Sequence, residues 1–230
     1  MILNKKPKQL LLVDMNWNRL FLTCWILFGV GGSVVAQTNW ELKVDKDGIK
    51  VYTKKTGDSP LKAVKTVCTI NTSLSTLTAV LLDVNSSLDW VYATKKIKLL
   101  KKLAPNELIY YSEVEIPWPA SNRDFIVGIA VVQNEKTKVV TVAGENKPGY
   151  LPEYKDIVRI QQSHSNWTIT PLAQGGVKIE HELQVDPGGK VPAWLINLFA
   201  TRGPFETFKK LQDEVMKPVY KNRSFAFIKD

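Results

Sequence analysis

The sequence contains very little cysteine and histidine. Two histidines and two cysteines occur in 230 residues, and the chain has neither a CxxC pair nor an HExxH motif. This scarcity argues against a structural zinc or iron–sulfur site, because such sites need several ligands at characteristic spacing. We therefore expect no metal and no cofactor. Cys24 lies in an apolar N-terminal run, which leaves Cys68 alone in the rest of the chain, so we expect no disulfide.

That apolar run covers residues 20–36. It follows Arg19 and ends in the small residues Val34-Val35-Ala36. A basic residue, an apolar stretch and a small-residue end are typical of a secretory signal peptide. We expect residues 1–36 to be this peptide, with translation starting at Met1 or at Met15, and with cleavage before Gln37.

An uncleaved membrane anchor is the alternative interpretation of the same run. Gly29, Gly31, Gly32 and Ser33 weaken it as a span, and its length is near the lower limit for crossing a bilayer. We favour cleavage, which leaves residues 37–230 as a single domain. We expect that domain to be exported and to reside in the periplasm or outside the cell.

The charge balance is basic, with 31 Lys and Arg against 22 Asp and Glu. Part of the excess lies in the N-terminal segment. The modest remainder suits transient contact with an anionic membrane surface, and it serves equally as ordinary solubility charge. Because the basic residues are scattered and no base-stacking motif is present, we expect no nucleic-acid partner.

In the first part of the domain, the spacing of the apolar residues changes from alternating to helical. Alternating runs flank Asp45-Lys-Asp-Gly48, which predicts a hairpin, and a third such run covers residues 61–70. From Ser73 to Val84 the spacing becomes helical, with Ser73 or Ser75 as the N-cap. A short helix is expected near Trp90.

The centre of the domain predicts further antiparallel strands. In the last of them apolar side chains alternate with charged ones, which indicates one buried face and one solvated face. The fifth includes Asn166 as a candidate break. The strands are expected at residues 96–103, 107–116, 124–134, 137–145, 154–172 and 177–185.

The C-terminal part is predicted to be helical. It begins after the turn Asp186-Pro-Gly-Gly189, and Pro192 suits a first helical turn. Gly203-Pro204 is expected to kink or break the helix, because proline lacks an amide donor and clashes with the preceding turn. The predicted fold is therefore α+β: a curved antiparallel sheet wrapped around a long C-terminal helix, with a small helical insert after the third strand.

Three passages resemble the START family of lipid-transfer domains, which has the helix-grip fold. They are Asp47-Gly-Ile-Lys-Val-Tyr52, then Pro117-Trp-Pro119 with Ser121-Asn-Arg-Asp-Phe125, and finally Asp186-Pro-Gly-Gly189 with Val191-Pro-Ala-Trp-Leu-Ile-Asn197. The likeness extends over about residues 40–220. It implies binding, with transfer as an option, of one lipid in an internal cavity roofed by the C-terminal helix. The sterol-carrying branch has a second arginine six residues beyond the first, where this chain has Ile129, so the cargo stays open.

The strand and helix faces predict which side chains line that cavity. Tyr110 and Ser112 would offer hydroxyl groups. Arg123 would lie near the polar head of the lipid, but the interpretation that we favour is that Arg123 and Asp124 hold the strand entry by ion pairing and hydrogen bonds. Trp118, held between two prolines, would point outward at the cavity opening. The full set of candidates is Tyr110, Ser112, Arg123, Phe125, Val127, Ile129, His181, Leu183, Trp194, Leu198, Phe199, Phe205 and Phe208.

An enzyme on the same scaffold is the alternative. A polyketide cyclase or aromatase-like reaction would have to use His181 and the cavity hydroxyls. No set of nucleophile, base and orienting group is recognisable in the sequence, so we expect no catalytic residues. The pair Glu113 and Glu115 is interpreted as a solvated strand edge. We expect a lipid-binding monomer that is not an enzyme.

Overall fold

The computed structural model describes residues 40–55, 62–189 and 191–230. The predicted signal peptide, residues 1–36, lies outside these residues. Within them the alternating segments form one sheet of ten strands, which is antiparallel except for one short strand. The strands are β1 (Glu41–Lys46), β2 (Ile49–Lys55), β3 (Lys62–Ile70), β4 (Thr94–Ala104), β5 (Glu107–Val114), β6 (Asn122–Gln133), β7 (Val140–Asn146), β8 (Ile157–Arg159), β9 (Gln162–Pro171) and β10 (Val177–Asp186).

The strand order is β1-β2-β3-β10-β9-β7-β6-β5-β4, and neighbours along this path are antiparallel. The short strand β8 lies off the path and pairs in parallel with the start of β6. This curved sheet with its C-terminal helix is the predicted helix-grip architecture. The β10 register places His181 between Thr66 of β3 and Trp167 of β9.

The β1–β2 hairpin confirms the turn predicted from Asp47-Gly48. Asp47 has φ 53° and Gly48 has φ 73°. Both central residues of a type I′ turn need positive φ, and this turn matches the right-handed twist of the flanking strands. Asp and Gly are among the residues that tolerate that conformation at low cost.

The helical insert lies between β3 and β4, as predicted. It consists of α1 (Leu74–Leu82), a 3₁₀ turn (Val84–Ser86) and the short helix α2 (Ser87–Trp90). Ser73 is the N-cap of α1, because its hydroxyl accepts a hydrogen bond from the Thr76 backbone N–H at 3.1 Å.

The C-terminal helical segment runs through three parts: α3 (Ala193–Asn197), a π turn (Leu198–Arg202) and α4 (Gly203–Glu214). A 3₁₀ turn, Pro218–Tyr220, follows. Of the kink or break predicted at Gly203-Pro204, the break is wrong, because the backbone at Arg202 and Gly203 keeps helical dihedrals. The chain instead accommodates Pro204 through the π turn directly before it, where hydrogen bonds reach one residue further.

The interruption of the predicted strand 154–172 is also not where the sequence suggested. Asn166 lies in the middle of β9, opposite Ala143 and Glu182. The strand is broken at residues 160–161 instead. The reason is a change of partners, since β8 pairs with β6 whereas β9 pairs with β7 and β10.

The main core packs the inner face of the sheet against the insert and the C-terminal helix. Buried apolar side chains from all three meet there, among them Ile179, Leu77, Phe208 and Leu211. Trp90 and Trp167 belong to this core, as predicted. Burying each such side chain stabilises the fold by about 1.5–3 kcal/mol relative to solvent exposure.

Candidate functional site

A pocket of about 380 Å³ lies between the inner face of the sheet and the C-terminal helical segment. The insert closes one side of it through Leu81, Val84 and Trp90. Because each strand presents every second residue to this face, the lining from β10 is His181, Leu183 and Val185. Most of the lining side chains are aliphatic or aromatic, so the pocket favours an apolar occupant.

On the helical side of the pocket, the residues that face it recur every four positions along the chain. Two adjacent rows face it, Leu195-Phe199-Gly203-Thr207 and Ile196-Ala200-Pro204-Phe208. A regular α-helix repeats every 3.6 residues, and the π turn adds a residue to the register in the middle of the segment. The face that meets the pocket therefore differs from the one that a 3.6-residue stripe predicts.

Most of the predicted cavity residues lie around this pocket. Those that line it are Tyr110, Arg123, Phe125, Val127, Ile129, His181, Leu183, Phe199 and Phe208. Several lining residues were not among the candidates, notably Ile196, Pro204 and Thr207 of the helix. In the sequence, the signal that would have identified these helix residues is the recurrence of small and apolar side chains at every fourth position.

Four predicted residues do not line the pocket. Ser112 is buried in the sheet between its partners Ile97 and Phe125, and it is too short to reach past its neighbours Tyr110 and Val114 on the same face. Trp194 is 50% exposed, because the next residue, Leu195, takes the inward position in α3. Leu198 is half-buried within the π turn, outside the two inward rows. Phe205 packs against the main core, with Lys46 Nζ 6.0 Å from its ring centroid.

His181 lies on the sheet side of the pocket in an aromatic stack. Its ring is 4.2 Å from that of Trp167 and 5.9 Å from that of Phe208. Ser165 Oγ is 2.9 Å from His181 Nε2. Burial lowers the pKa of His181 to about 3, so the imidazole is neutral at physiological pH.

Tyr110 projects into the pocket from β5. Its ring meets Phe125 of β6 edge to face, with centroids 6.5 Å apart. Burial raises the pKa of Tyr110 to about 12, because the phenolate would lose its hydration. The phenol is therefore a neutral hydrogen-bonding group in a mostly apolar pocket wall.

Arg123 holds the loop that joins β10 to α3. Its Nε donates to the Pro187 carbonyl at 3.2 Å, Nη2 to the Gly188 carbonyl at 3.2 Å, and Nη1 to the Ser121 carbonyl at 2.5 Å. Burial lowers the pKa of Arg123. Arg123 is the charged side chain among the described residues that line the pocket. Arg123 thus borders the pocket and restrains the loop after β10, and its position near the polar head of a lipid stays a prediction.

Asp124 points away from the pocket and pairs with Arg159 of β8. Neighbouring strand residues face opposite sides, so Arg123 and Asp124 do not pair with each other. The Asp124–Arg159 pair is buried, and Arg159 also donates to the carbonyls of Pro148, Leu151 and Pro152. Sequence reasoning missed Arg159. Its one signal is an arginine inside the apolar stretch Ile157-Val-Arg-Ile160.

The predicted solvated edge is wrong for Glu113, which is buried. It is only 7% exposed, accepts a hydrogen bond from Asn122 Nδ2 at 2.7 Å, and lies 3.3 Å from Lys95 Nζ. Glu115, two residues on, is exposed as predicted. The partners of Glu113 are structural, and its face is opposite to that of Tyr110, so it does not belong to the pocket.

A second hollow adjoins the pocket at the loop after β5. We call it the mouth and define it by Tyr92, Ile116, Pro117, Trp118 and Phe199, of which Tyr92, Ile116 and Phe199 also line the pocket. Trp118 is 89% exposed, in agreement with its predicted outward position. The mouth therefore places a solvent-exposed indole beside an apolar pocket.

Among the described residues, no group of three or more His, Cys, Asp and Glu side chains is placed to hold a metal ion. None of the helices in the described part of the chain has both the length and the apolar character that a bilayer span requires.

The sequence and the fold of this chain are similar to those of known proteins. The sequence model of the START domain matches residues 33–224. An uncharacterized protein of Pseudomonas aeruginosa is 33% identical over 201 residues, covering 86% of this chain and 97% of the relative. The phosphatidylcholine transfer protein of Mus musculus is 28% identical over 170 residues, covering 72% and 78%. The crystal structure of a STAR-related lipid transfer protein from Xanthomonas axonopodis has 32% identity and a TM-score of 0.72, covering 78% of this chain and 99% of that one.

Proposed function

Because the chain belongs to the START domain family, we propose that it binds one lipid in the pocket between the sheet and the C-terminal helix and carries it between membranes. The observation that carries the proposal is the pocket of about 380 Å³, lined from both sides by apolar side chains. The named relatives, which are lipid transfer proteins, support the same function.

The energetics favour a carrier role. Removing a methylene from water contributes about 0.8 kcal/mol, but a bilayer offers nearly the same gain, so the overall free energy of moving a lipid from membrane to protein is small. The pocket instead shelters the apolar tail while the lipid crosses water. The polar side chains inside it then choose among headgroups.

Lipid has to pass the loop between β10 and α3 or the mouth. Gly188 and Gly189 lie in this loop, with φ of 64° and 63°, in the region that favours glycine. Because glycine has no side chain, the backbone can change conformation more freely there than at other residues. Arg123 restrains this loop through hydrogen bonds to the carbonyl groups of Pro187 and Gly188. We propose that these bonds break when the loop opens, and that Trp118 and Trp194, both exposed, contact the membrane surface during exchange.

Catalysis is not part of the proposal. The Ser165–His181 contact resembles a nucleophile beside a base, but a histidine with a pKa near 3 is a weak base at neutral pH. No described carboxylate contacts the ring to orient it. We propose binding without turnover, by a monomer and without nucleic acid.

We also propose that the protein works outside the cytoplasm. The support is the sequence of residues 1–36, with its apolar run and small-residue end. Cell fractionation, together with N-terminal sequencing of the isolated protein, tests this. A mature chain that begins at Gln37 is expected; a chain that keeps residues 20–36 in the membrane fraction would replace export by anchoring.

Native mass spectrometry of the full-length chain tests lipid binding. We expect one bound lipid per chain, and transfer of a fluorescent lipid between vesicles. Leu183→Trp adds bulk within the pocket and should abolish both, whereas Leu99→Trp, at a 41% exposed position on β4, should preserve both. A wild-type chain that never acquires lipid from vesicles and transfers none would refute the proposal.

A further inference from the structure

The apolar pocket contains a compact polar patch. We call it the polar floor and define it by Thr66, Ser165 and His181, all of which line the pocket from β3, β9 and β10. Thr66 lies opposite His181 in the β3–β10 ladder, and Ser165 is bonded to His181. Three adjacent strands thus bring hydroxyl groups and an imidazole to one place on the inner face.

The polar floor has hydrogen-bonding capacity that the protein leaves unused. Thr66 Oγ1 is buried and has no hydrogen-bond partner among the described residues. Leaving a buried hydroxyl unpaired is costly, and native proteins rarely do so without a reason. The Ser165 contact engages one nitrogen of His181, and no other described residue hydrogen-bonds the ring.

The polar floor is also electrically neutral. Its members are hydroxyls and a histidine that burial keeps uncharged. Arg123 is bonded to the carbonyls of Pro187 and Gly188, six and seven residues beyond His181 along the chain. At about 3.3 Å per strand residue, that places its guanidinium roughly 20 Å away, at the other end of the pocket.

A neutral patch of donors and acceptors selects a neutral partner. A phosphate or a quaternary ammonium group placed there would lose its hydration without gaining a counter-charge. A hydroxyl group, in contrast, both donates and accepts, and it can complete the bonding of Thr66 and His181 at once.

We propose that the polar floor binds the hydroxyl group of a neutral lipid, so that the cargo is a sterol or a diacylglycerol, inserted hydroxyl first, rather than a phospholipid held by its headgroup. This inference rests on the proposed lipid-binding function and adds the chemical class of the lipid. It assigns Thr66, Ser165 and His181 as the residues that determine specificity.

Extraction from mixed vesicles tests the inference. The full-length chain is incubated with dioleoylphosphatidylcholine vesicles that contain cholesterol in one arm and 1,2-dioleoylglycerol in the other, and native mass spectrometry identifies the bound lipid. We expect the hydroxyl lipid to be bound in at least one arm, and the arms distinguish the two sources of the hydroxyl.

Two variants test the assigned contacts. Thr66→Val and Ser165→Ala should each lower the bound fraction of hydroxyl lipid about tenfold, the effect of one lost hydrogen bond. The matched control is Thr168→Val, on the opposite face of β9, which should leave binding unchanged. Because no described residue hydrogen-bonds Thr66 Oγ1, Thr66→Val should not lower the melting temperature, which separates lost binding from misfolding.

The possible outcomes distinguish this inference from the proposed function. If the chain extracts only dioleoylphosphatidylcholine, or if both variants bind the hydroxyl lipid as the wild type does, the polar floor is not the hydroxyl site and lipid binding still stands. If the wild type extracts none of the three lipids, the proposed function itself fails.

Discussion

Asp124 and Arg159 form a bidentate ion pair across the parallel contact between β6 and β8. Arg159 Nε donates to Asp124 Oδ1 at 2.7 Å and Nη2 donates to Oδ2 at 3.1 Å, and both side chains are 1% exposed. The hydrogen bonds that Arg159 donates to Asp124 raise the pKa of Arg159. The pair fixes the outer side of the strand whose inner side presents Arg123 to the pocket.

Asp124→Asn should therefore destabilise the fold. Removing one charge of a buried pair leaves the other uncompensated, which costs about 3–5 kcal/mol. Urea unfolding measures this loss. Asp213→Asn, at an exposed position in α4, is the control and should change stability by less than about 0.5 kcal/mol. Equal midpoints for the two variants would show that the pair contributes no net stability.

Arg123→Lys should loosen the β10–α3 loop without removing the positive charge. A lysine cannot reproduce the planar fork that reaches three carbonyl groups at once. We expect a loss of about 2 kcal/mol in stability, since hydrogen bonds from charged groups contribute about 1.5–3 kcal/mol each and lysine keeps part of them.

Hydrogen exchange gives the more direct measurement for this variant. The backbone amides of Gly188 and Gly189 should exchange faster in Arg123→Lys, and lipid transfer between vesicles should change in rate. Arg202→Lys, at a 65% exposed side chain, is the matched control. Unchanged exchange in the loop would show that Arg123 does not restrain it.

His181 should make stability depend on pH. Its folded pKa of about 3 lies below the value of 6.5 for free imidazole, so the unfolded chain binds the additional proton between these values. The free energy of unfolding should therefore fall as pH decreases from about 6.5, by at most about 1.4 kcal/mol per pH unit. The groups that contact the ring, Ser165, Trp167 and Phe208, do not titrate in this range.

The contribution of His181 can be separated from that of His164 by comparing how strongly the stability of each variant depends on pH. Between pH 7 and pH 5, His181→Leu should flatten the dependence, whereas His164→Gln, at the exposed second histidine, should retain the wild-type slope. The measurement is urea unfolding at each pH. If His181→Leu and the wild type show the same slope, His181 protonates as readily in the folded protein as in the unfolded chain.

Trp118→Ala should weaken membrane contact and leave the fold intact. The indole is part of the mouth and 89% exposed, so its removal should change stability by less than about 0.5 kcal/mol. Binding to vesicles, measured by co-sedimentation, and the rate of lipid transfer should both decrease several-fold. Met216→Ala, 58% exposed beyond the end of α4, should leave both unchanged. Equal vesicle binding by the two variants would show that the mouth does not face the membrane.

The sequence by itself determined the local elements of this protein. The Asp47-Gly48 turn, the Ser73 cap and the alternation of β10 follow from backbone preferences and side-chain period, which act over a few residues. The order of those elements, together with the motif around Arg123, was enough to predict the sheet and the helix that it grips. Most of the strand residues that line the pocket could be named because a strand has only two faces.

Only the tertiary structure decided which distant residues meet. Arg159 pairs with Asp124 across 35 positions, and Ser165 reaches His181 across 16, through strand partners that no local pattern specifies. The π turn before Pro204 then rotates the helix, so that Thr207 faces the pocket while Phe205 packs elsewhere. Such details depend on register and on the competition of many packed side chains for the same space, and these forces act between segments rather than along the chain.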